Sequence, residues 1–529
     1  ILELITDVQV NTFTTGEQGK PSIGTLSDGG YVITWHSRDQ DGENLGVYGR
    51  RFDANGMVVG GEFQVNSYTP SAQFYPSVTG IEDGGFVVTW SSRYQDGSDW
   101  GVYGQRFDAN GTAVGPEFQV NTYTSSNQIF PSVAGIAGGG FVVAWESLFQ
   151  DGSGLGIFGQ RYDASGVAVG SEFQVNTFTS SAQERASVTG LAGGGFVVTW
   201  QSNVGQDGSR LGIFGQRYDA SGVAAGPEFL VNTYTSDTQR DASVTGLADG
   251  GFVVTWSSFL QDGSSYGIYG QRYDASGVAV GFEFRVNTYT SSSQQLASVT
   301  GLEGGEFVVT WVSGGQDGDG GGVYGQRYNA DGTVAGSEFQ VNSYAEGFQG
   351  VSSVTGLPDG GFVVTWESDS QDGSGYGIFQ KVYNADGTER IGPSYVEGSD
   401  AVAFAGELTI SDVDSATLVG ATVEIDDFVA GEDELTFTDQ AGITGSYDAA
   451  TGVLTLIGSA SVEDYQAALR SVGYRNTSED PRGTGRDISI TVDDGTGSTS
   501  VSNVVTAHVN VIAVPGGEQP FGAQTAGGE

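Results

Sequence analysis

The residues best placed to do chemistry in this chain recur at a fixed interval. A Gln-Asp-Gly phrase returns seven times and sets a carboxylate at Asp41, Asp96, Asp151, Asp207, Asp262, Asp317 and Asp372. Carboxylate and amide oxygens are hard ligands of the kind calcium gathers from extracellular fluid. The position is aspartate in every unit, so a charge or a specific acceptor is selected there, and Ca2+ is the expected cofactor. A turn explains the same residues: Asp-Gly bends the chain while a nearby glutamine satisfies loop backbone groups. The phrase also lacks the dense D-x-D-x-D spacing of strong calcium loops. Further candidate ligands are Asp412 and Asp414 in ISDVDS, and Asp493 and Asp494 in VDDG, with solvated turns again the alternative.

Other chemistries are narrowed by what is scarce. The only histidines are His36 and His508, far apart in sequence, which excludes histidine triads and histidine-ligated zinc. A glycosidase needs only two carboxyl groups. Yet a catalytic pair should stand apart from a repeat, and the acids of these loops recur in every unit, so the expectation is that the chain is not an enzyme. The net charge of −44 makes nucleic acid a poor partner, since phosphate binding needs a basic footprint. No apolar run is long enough to span a membrane as a helix. There is no cysteine, so disulfides play no part.

The elements that position these residues are repeated strands. Tryptophan closes a GGFVVTW-like phrase at Trp35, Trp90, Trp145, Trp200, Trp256, Trp311 and Trp366, and a VN(T/S) phrase follows the same ladder at about 55-residue spacing. Each unit reads as four short strands with tight turns, which predicts an all-β, seven-bladed β-propeller over residues 1–390. A lone strand over Asp7–Thr14 precedes the first complete unit, and the seventh unit lacks its fourth strand. Pairing the two closes the ring and leaves no open edge. The tryptophans belong to the packing between blades.

In such a blade the Asp-Gly loops share one face with the loops that carry Gln18, Gln73, Gln128, Gln183, Gln239, Gln294 and Gln349. The opposite face holds hairpin turns in which Asp, Asn and Gly replace one another freely. The loop face also carries apolar residues that differ between units: Phe74, Tyr75, Tyr94 and Trp100, then Ile129, Phe130 and Phe149. They form a candidate partner-binding patch, or else they cover long loops.

From residue 391 the repeat stops, and alternating segments to residue 514 predict a cadherin-like or Ig-like β-sandwich. Ser461 is placed to cap a short helix. Residues 515–529 read as a linker or frayed tail. The phrase ISDVDSATLVGATVEI, with GSYDAATGVLTLIGSASVEDYQAALRSVGYRNTS, resembles the cadherin-like modules of very large bacterial surface proteins. The EFQVNTYT…GGFVVTW…QDGSG unit is similar to repeats of the same calcium-rich, type I-secreted adhesins. That resemblance implies an extracellular or cell-surface location and an adhesion or surface-assembly role stiffened by calcium. The partner would be a protein or glycan on a surface, or neighbouring subunits of an assembly. A lectin propeller is the alternative, with Trp100, Tyr94 and Tyr75 as a stacking platform. A polysaccharide-active enzyme ranks behind both.

Overall fold

The computed structural model describes residues 2–4, 7–54, 56–203, 205–390, 394–405, 408–411, 415–478, 485–495 and 501–512. The chain divides into two compact units: Asp7–Glu389, and Ile1–Thr6 together with Arg390–Glu529.

Within Asp7–Glu389 the described residues form seven four-stranded antiparallel sheets. In the second repeat the strands are Gln73–Gly80, Phe86–Arg93, Trp100–Phe107 and Ala113–Gln119. Alternation along the second strand decides the packing. Phe86, Val88 and Trp90 join Leu26, Val32 and Val47 of the preceding sheet, whereas Val87 joins Val133 and Trp145 of the following one. The tryptophan ladder is therefore core: all seven indoles are fully buried.

The first strands touch one another in a closed circle, ending with Gln349–Gly356 against Gln18–Thr25. They are the innermost elements. At their C-terminal ends, toward the hairpin turns, glycine is required by close approach. A Cβ on Gly190 would strike the Gly135 carbonyl, and one on Gly301 would lie 2.5 Å from the Gly246 carbonyl. Where the first unit has Thr25 instead, its hydroxyl donates to the Gly356 carbonyl at 2.6 Å. Backbone of neighbouring first strands thus meets directly at the turn end. A shallow depression there is lined by Thr25, Thr79, Gly80, Gly135, Thr189 and Gly190, with Glu82 its one ionisable group.

The expected closing strand is formed by Val8–Gln9, paired with Phe379 and Gln380 of the seventh sheet. Asp7 takes the place that the glutamate of the Glu-Phe-Gln phrase holds elsewhere. It accepts from the Ser343 and Tyr344 N–H groups and pairs with Lys381 Nζ at 3.2 Å. Both charges are buried, and a charge buried alone would cost several kcal/mol. The ring begins here and not at Ile1, which corrects the boundary drawn at 1–390. Leu2–Leu4 have no place in the repeat and pair instead with Leu408–Ile410.

The second unit has a six-stranded sheet, which includes Thr417–Ile425, Val453–Ser461, Arg486–Asp493 and Val505–Ile512, and a three-stranded sheet. One apolar core holds both sheets, with Leu418, Val423, Leu456, Tyr474 and Ile490 among its residues. The helix Val462–Arg470 packs Tyr465, Ala468 and Leu469 inward, and the Ser461 hydroxyl accepts from the Asp464 N–H as its N-cap. Among the described residues no helix is long and apolar enough to cross a membrane.

Candidate functional site

At the other end of the axis the first strands break their own geometry. Two residues after each loop glutamine stands Lys20, Tyr75, Phe130, Arg185, Asp241, Leu296 or Val351, and every one has φ between 46° and 58°. The pairing register with the second strand shifts at the same point in all seven sheets. A left-handed residue with a side chain costs about 1–2 kcal/mol, and more for a branched one such as Val351. The strain is held seven times, under seven different side chains.

Five of the seven bulges are tied to the preceding sheet through the residue that follows the tryptophan. Phe130 N–H donates to Ser91 Oγ at 3.1 Å and Arg185 N–H to Glu146 Oε1 at 2.7 Å. Asp241 N–H donates to Gln201 Oε1 at 3.0 Å, Leu296 N–H to Ser257 Oγ at 3.2 Å, and Lys20 N–H to Glu367 Oε2 at 3.0 Å. This second position also varies between units, with five residue types among seven: His36, Ser91, Glu146, Gln201, Ser257, Val312 and Glu367. The side chains that depart from the repeat are therefore gathered around one mouth.

Aromatic rings make up one arc of it. Phe74 meets Tyr75 and Trp100 with centroids 4.5 Å apart in both cases, and Tyr75 meets Phe130 at 4.6 Å, all edge to face. The Arg93 guanidinium lies 4.7 Å from the Tyr94 ring centroid and 5.5 Å from that of Trp100, held by Asp99 at 3.0 Å. Ile129 precedes Phe130 in the same strand and stands opposite Glu146. Phe149 is exposed on its loop. Four of the seven expected contact residues, Phe74, Tyr75, Trp100 and Phe130, thus form one cluster, with Tyr94 and Ile129 at its margin.

The next arc is charged. Gln201 donates to Glu184 Oε2 at 3.2 Å, and Asp241 pairs with Arg240 at 3.2 Å. Arg240 stacks 4.1 Å over Tyr266, and Arg185 4.5 Å over Phe130. Burial pushes the Glu146 carboxyl up to about 7, opposed by its hydrogen bond from Arg185 and by that residue's charge. Burial likewise raises Glu367 against the pull of Lys20. It holds the His36 imidazole down at about 3, helped by Lys20 and Arg38. His36 Nδ1 is buried without a partner. A Cβ at position 19 would lie 3.1 Å from both His36 Nε2 and Glu367 Oε2, so Gly19 makes room for the pair.

The Asp-Gly loops form a rim outside this mouth. Oδ1 of Asp41, Asp96, Asp151, Asp207, Asp262, Asp317 and Asp372 accepts from the N–H two residues on, at 2.9–3.4 Å, as a turn requires. Oδ2 behaves differently. It is buried without a donor in Asp96, Asp151, Asp207, Asp262 and Asp317, and so is Oε1 of Gln95, Gln150, Gln206 and Gln261. Each of these glutamines gives its amide to a glutamate whose other oxygen holds the preceding unit, as Gln150 does with Glu172. Orphaned oxygens suit calcium in kind. The seven aspartates stand one per unit, however, and among the described residues no three His, Asp or Glu side chains converge as a metal cluster. Calcium there would need backbone and water oxygens as well. Asp493 Oδ1 caps the Gly495 N–H at 2.8 Å and Asp494 follows it, while Asp412 and Asp414 lie outside the described residues.

Known proteins resemble this chain in part. No family model matches it. A stretch of 107 residues is 38% identical to halomucin of Haloquadratum walsbyi, covering 19% of this chain and 1% of that protein. Among solved structures, an α-L-arabinanase of Penicillium chrysogenum, complexed with arabinobiose, covers 72% of this chain and 99% of its own at 14% identity and a TM-score of 0.42. A leech intramolecular trans-sialidase covers 72% and 71% at 12% identity and a TM-score of 0.40.

The expectation that the chain is not an enzyme is corrected by these comparisons, since carbohydrate-cleaving proteins stand among the structures it resembles. Only acids that recur in every unit were weighed from sequence. Glu146 and Glu367 hold one repeat position in only two of the seven units, and Glu184 and Asp241 are acids in one unit each. Lining up the seven units on their tryptophans exposes both irregular positions.

Proposed function

We propose that the chain is a glycan-recognising module of an extracellular surface protein. In this reading the repeats are a seven-bladed propeller whose loop-end mouth holds the sugar, and a cadherin-like sandwich follows. The observation that carries it is the unbroken run from the Phe74, Tyr75, Trp100 and Phe130 rings to the Arg185, Glu184, Gln201 and Asp241 side chains, set on strained bulges. Sugars offer apolar ring faces and hydroxyl edges, and a site for them needs aromatic surface beside polar groups that fix orientation. The carboxyl groups beside the rings are also of the kind that cut glycosidic bonds, so hydrolysis is assayed together with binding.

A glycan array probed with the full chain and with Trp100→Ala tests the reading. The expected outcome is binding to a defined glycan class, weakened at least about tenfold by the substitution, as loss of one stacking ring implies. Binding to no glycan, or equal binding by the variant, would remove the reading.

Calcium enters this reading through the rim, where Asp96, Asp151, Asp207, Asp262 and Asp317 Oδ2 would supply carboxylate ligands and the adjacent glutamines amide oxygens. A ligand that binds only the folded state stabilises it, by about 3 kcal/mol per site at a hundred times Kd. Thermal unfolding in millimolar calcium should therefore run well above that in excess chelator. Coincident transitions would leave the loops as turns.

A further inference from the structure

We infer that the mouth takes an acidic sugar, with the sugar's anionic group on the Arg185 guanidinium. This rests on the glycan reading above and names the substrate class. Seven cations of the ring stand at its loop end: Lys20, Arg38, Arg93, Arg185, Arg210 and Arg240, with Arg285 on an outer strand. Lys20, Arg38, Arg93, Arg210 and Arg240 are ion-paired, with Glu367, Glu17, Asp99, Asp237 and Asp241 respectively, at 3.0–3.4 Å. Among the described residues Arg185 has no ion pair.

The acids around Arg185 are already engaged. Glu146 Oε1 accepts from the Arg185 backbone, Glu184 Oε2 from Gln201, and Asp241 pairs with Arg240. Arg185 is exposed, and its guanidinium carbon lies 4.5 Å from the Phe130 ring centroid. In a chain of net charge −44, a cation without an ion pair beside an aromatic cluster stands out. A planar guanidinium holds carboxylate or sulfate through two hydrogen bonds at once, which a stacked orientation favours. A glycan whose ring faces lie on Tyr75 and Phe130 would carry its acidic group to this edge.

The test uses the full chain and matched pairs of oligosaccharides: oligogalacturonate and its methyl ester, sialyllactose and lactose, and chondroitin sulfate and desulfated chondroitin. The expected result is at least about tenfold tighter binding to one acidic member than to its neutral partner, the scale of one charge-assisted contact. Arg185→Gln should abolish that preference, bringing the affinity for the acidic member down to that for its neutral partner. Because the side chain is exposed, the variant should melt with the wild type. Neutral and acidic partners bound equally, or a preference that survives Arg185→Gln, would overturn the acidic-sugar inference alone. Binding to no member of any pair, with an array that is also blank, would overturn the glycan reading on which it rests.

Discussion

Replacing Asn121 with leucine should lower the unfolding free energy of the ring by about 3–5 kcal/mol, the sum of several buried groups left unpaired. Asn121 is almost fully buried, and its amide is a hub. Oδ1 accepts from Val102 N–H at 2.7 Å, while Nδ2 donates to the Tyr123 carbonyl at 2.8 Å and to Gln128 Oε1 at 3.3 Å. The same asparagine serves in every unit, its Oδ1 at 2.7 Å from a third-strand N–H. Leucine fills the volume but satisfies none of the three partners. Asn121→Asp keeps the acceptor, loses both donors and should fall between the two. Urea unfolding measures all three chains. A loss below about 1 kcal/mol for leucine, the value of an ordinary hydrogen bond, would mean that loop backbone groups find other partners.

The stability of the ring should depend on pH in two opposing ways. Glu146 binds its proton more tightly folded than unfolded, since burial lifts it from 4.5 to about 7. Its contribution is complete below about pH 4.5 and is lost as pH rises through 7, amounting to about 3 kcal/mol. His36 is held down from 6.5 to about 3. Its contribution is complete above about pH 6.5 and is lost as pH falls through 3, at about 4–5 kcal/mol. The groups that act on Glu146 are Arg185 and Glu184, and those on His36 are Lys20 and Arg38. Other titrations cancel when each variant is compared with the wild type. Glu146→Gln should therefore gain relative to wild type between pH 5 and pH 8, and His36→Gln between pH 7 and pH 4. Parallel stability curves for wild type and either variant would show that the group is solvated.

Much of this architecture is legible in the repeat. The alternation of Phe86, Val88 and Trp90 against Val87 reads directly as packing between neighbouring sheets, because one buried face on each side leaves no other register. Ser461 reads as a cap for the same local reason. The bulges were not legible. Nothing in Gln-Phe-Tyr-Pro or Gln-Glu-Arg-Ala announces a left-handed residue, since the bulge is set between neighbouring sheets, as where the Arg185 N–H donates to Glu146 Oε1. The charged arc was hidden for a related reason. Glu146 and Gln201 sit in a phrase whose regularity draws attention to the tryptophan before them. Their neighbourhood depends on contacts between units, which a spacing within one unit does not show. Leu2–Leu4 were misassigned because a three-residue strand has no period of its own.

Hydrogen exchange read by mass spectrometry tests the central claim most directly, using the full chain with and without the glycan it binds best on the array. The account predicts slowed exchange in peptides spanning the bulges at Tyr75, Phe130 and Arg185, with the outer strands Ala113–Gln119 and Ala279–Arg285 unchanged. Protection confined to those outer strands, where Phe282 is 95% exposed, or to residues 394–512, would contradict it and move the binding site away from the mouth.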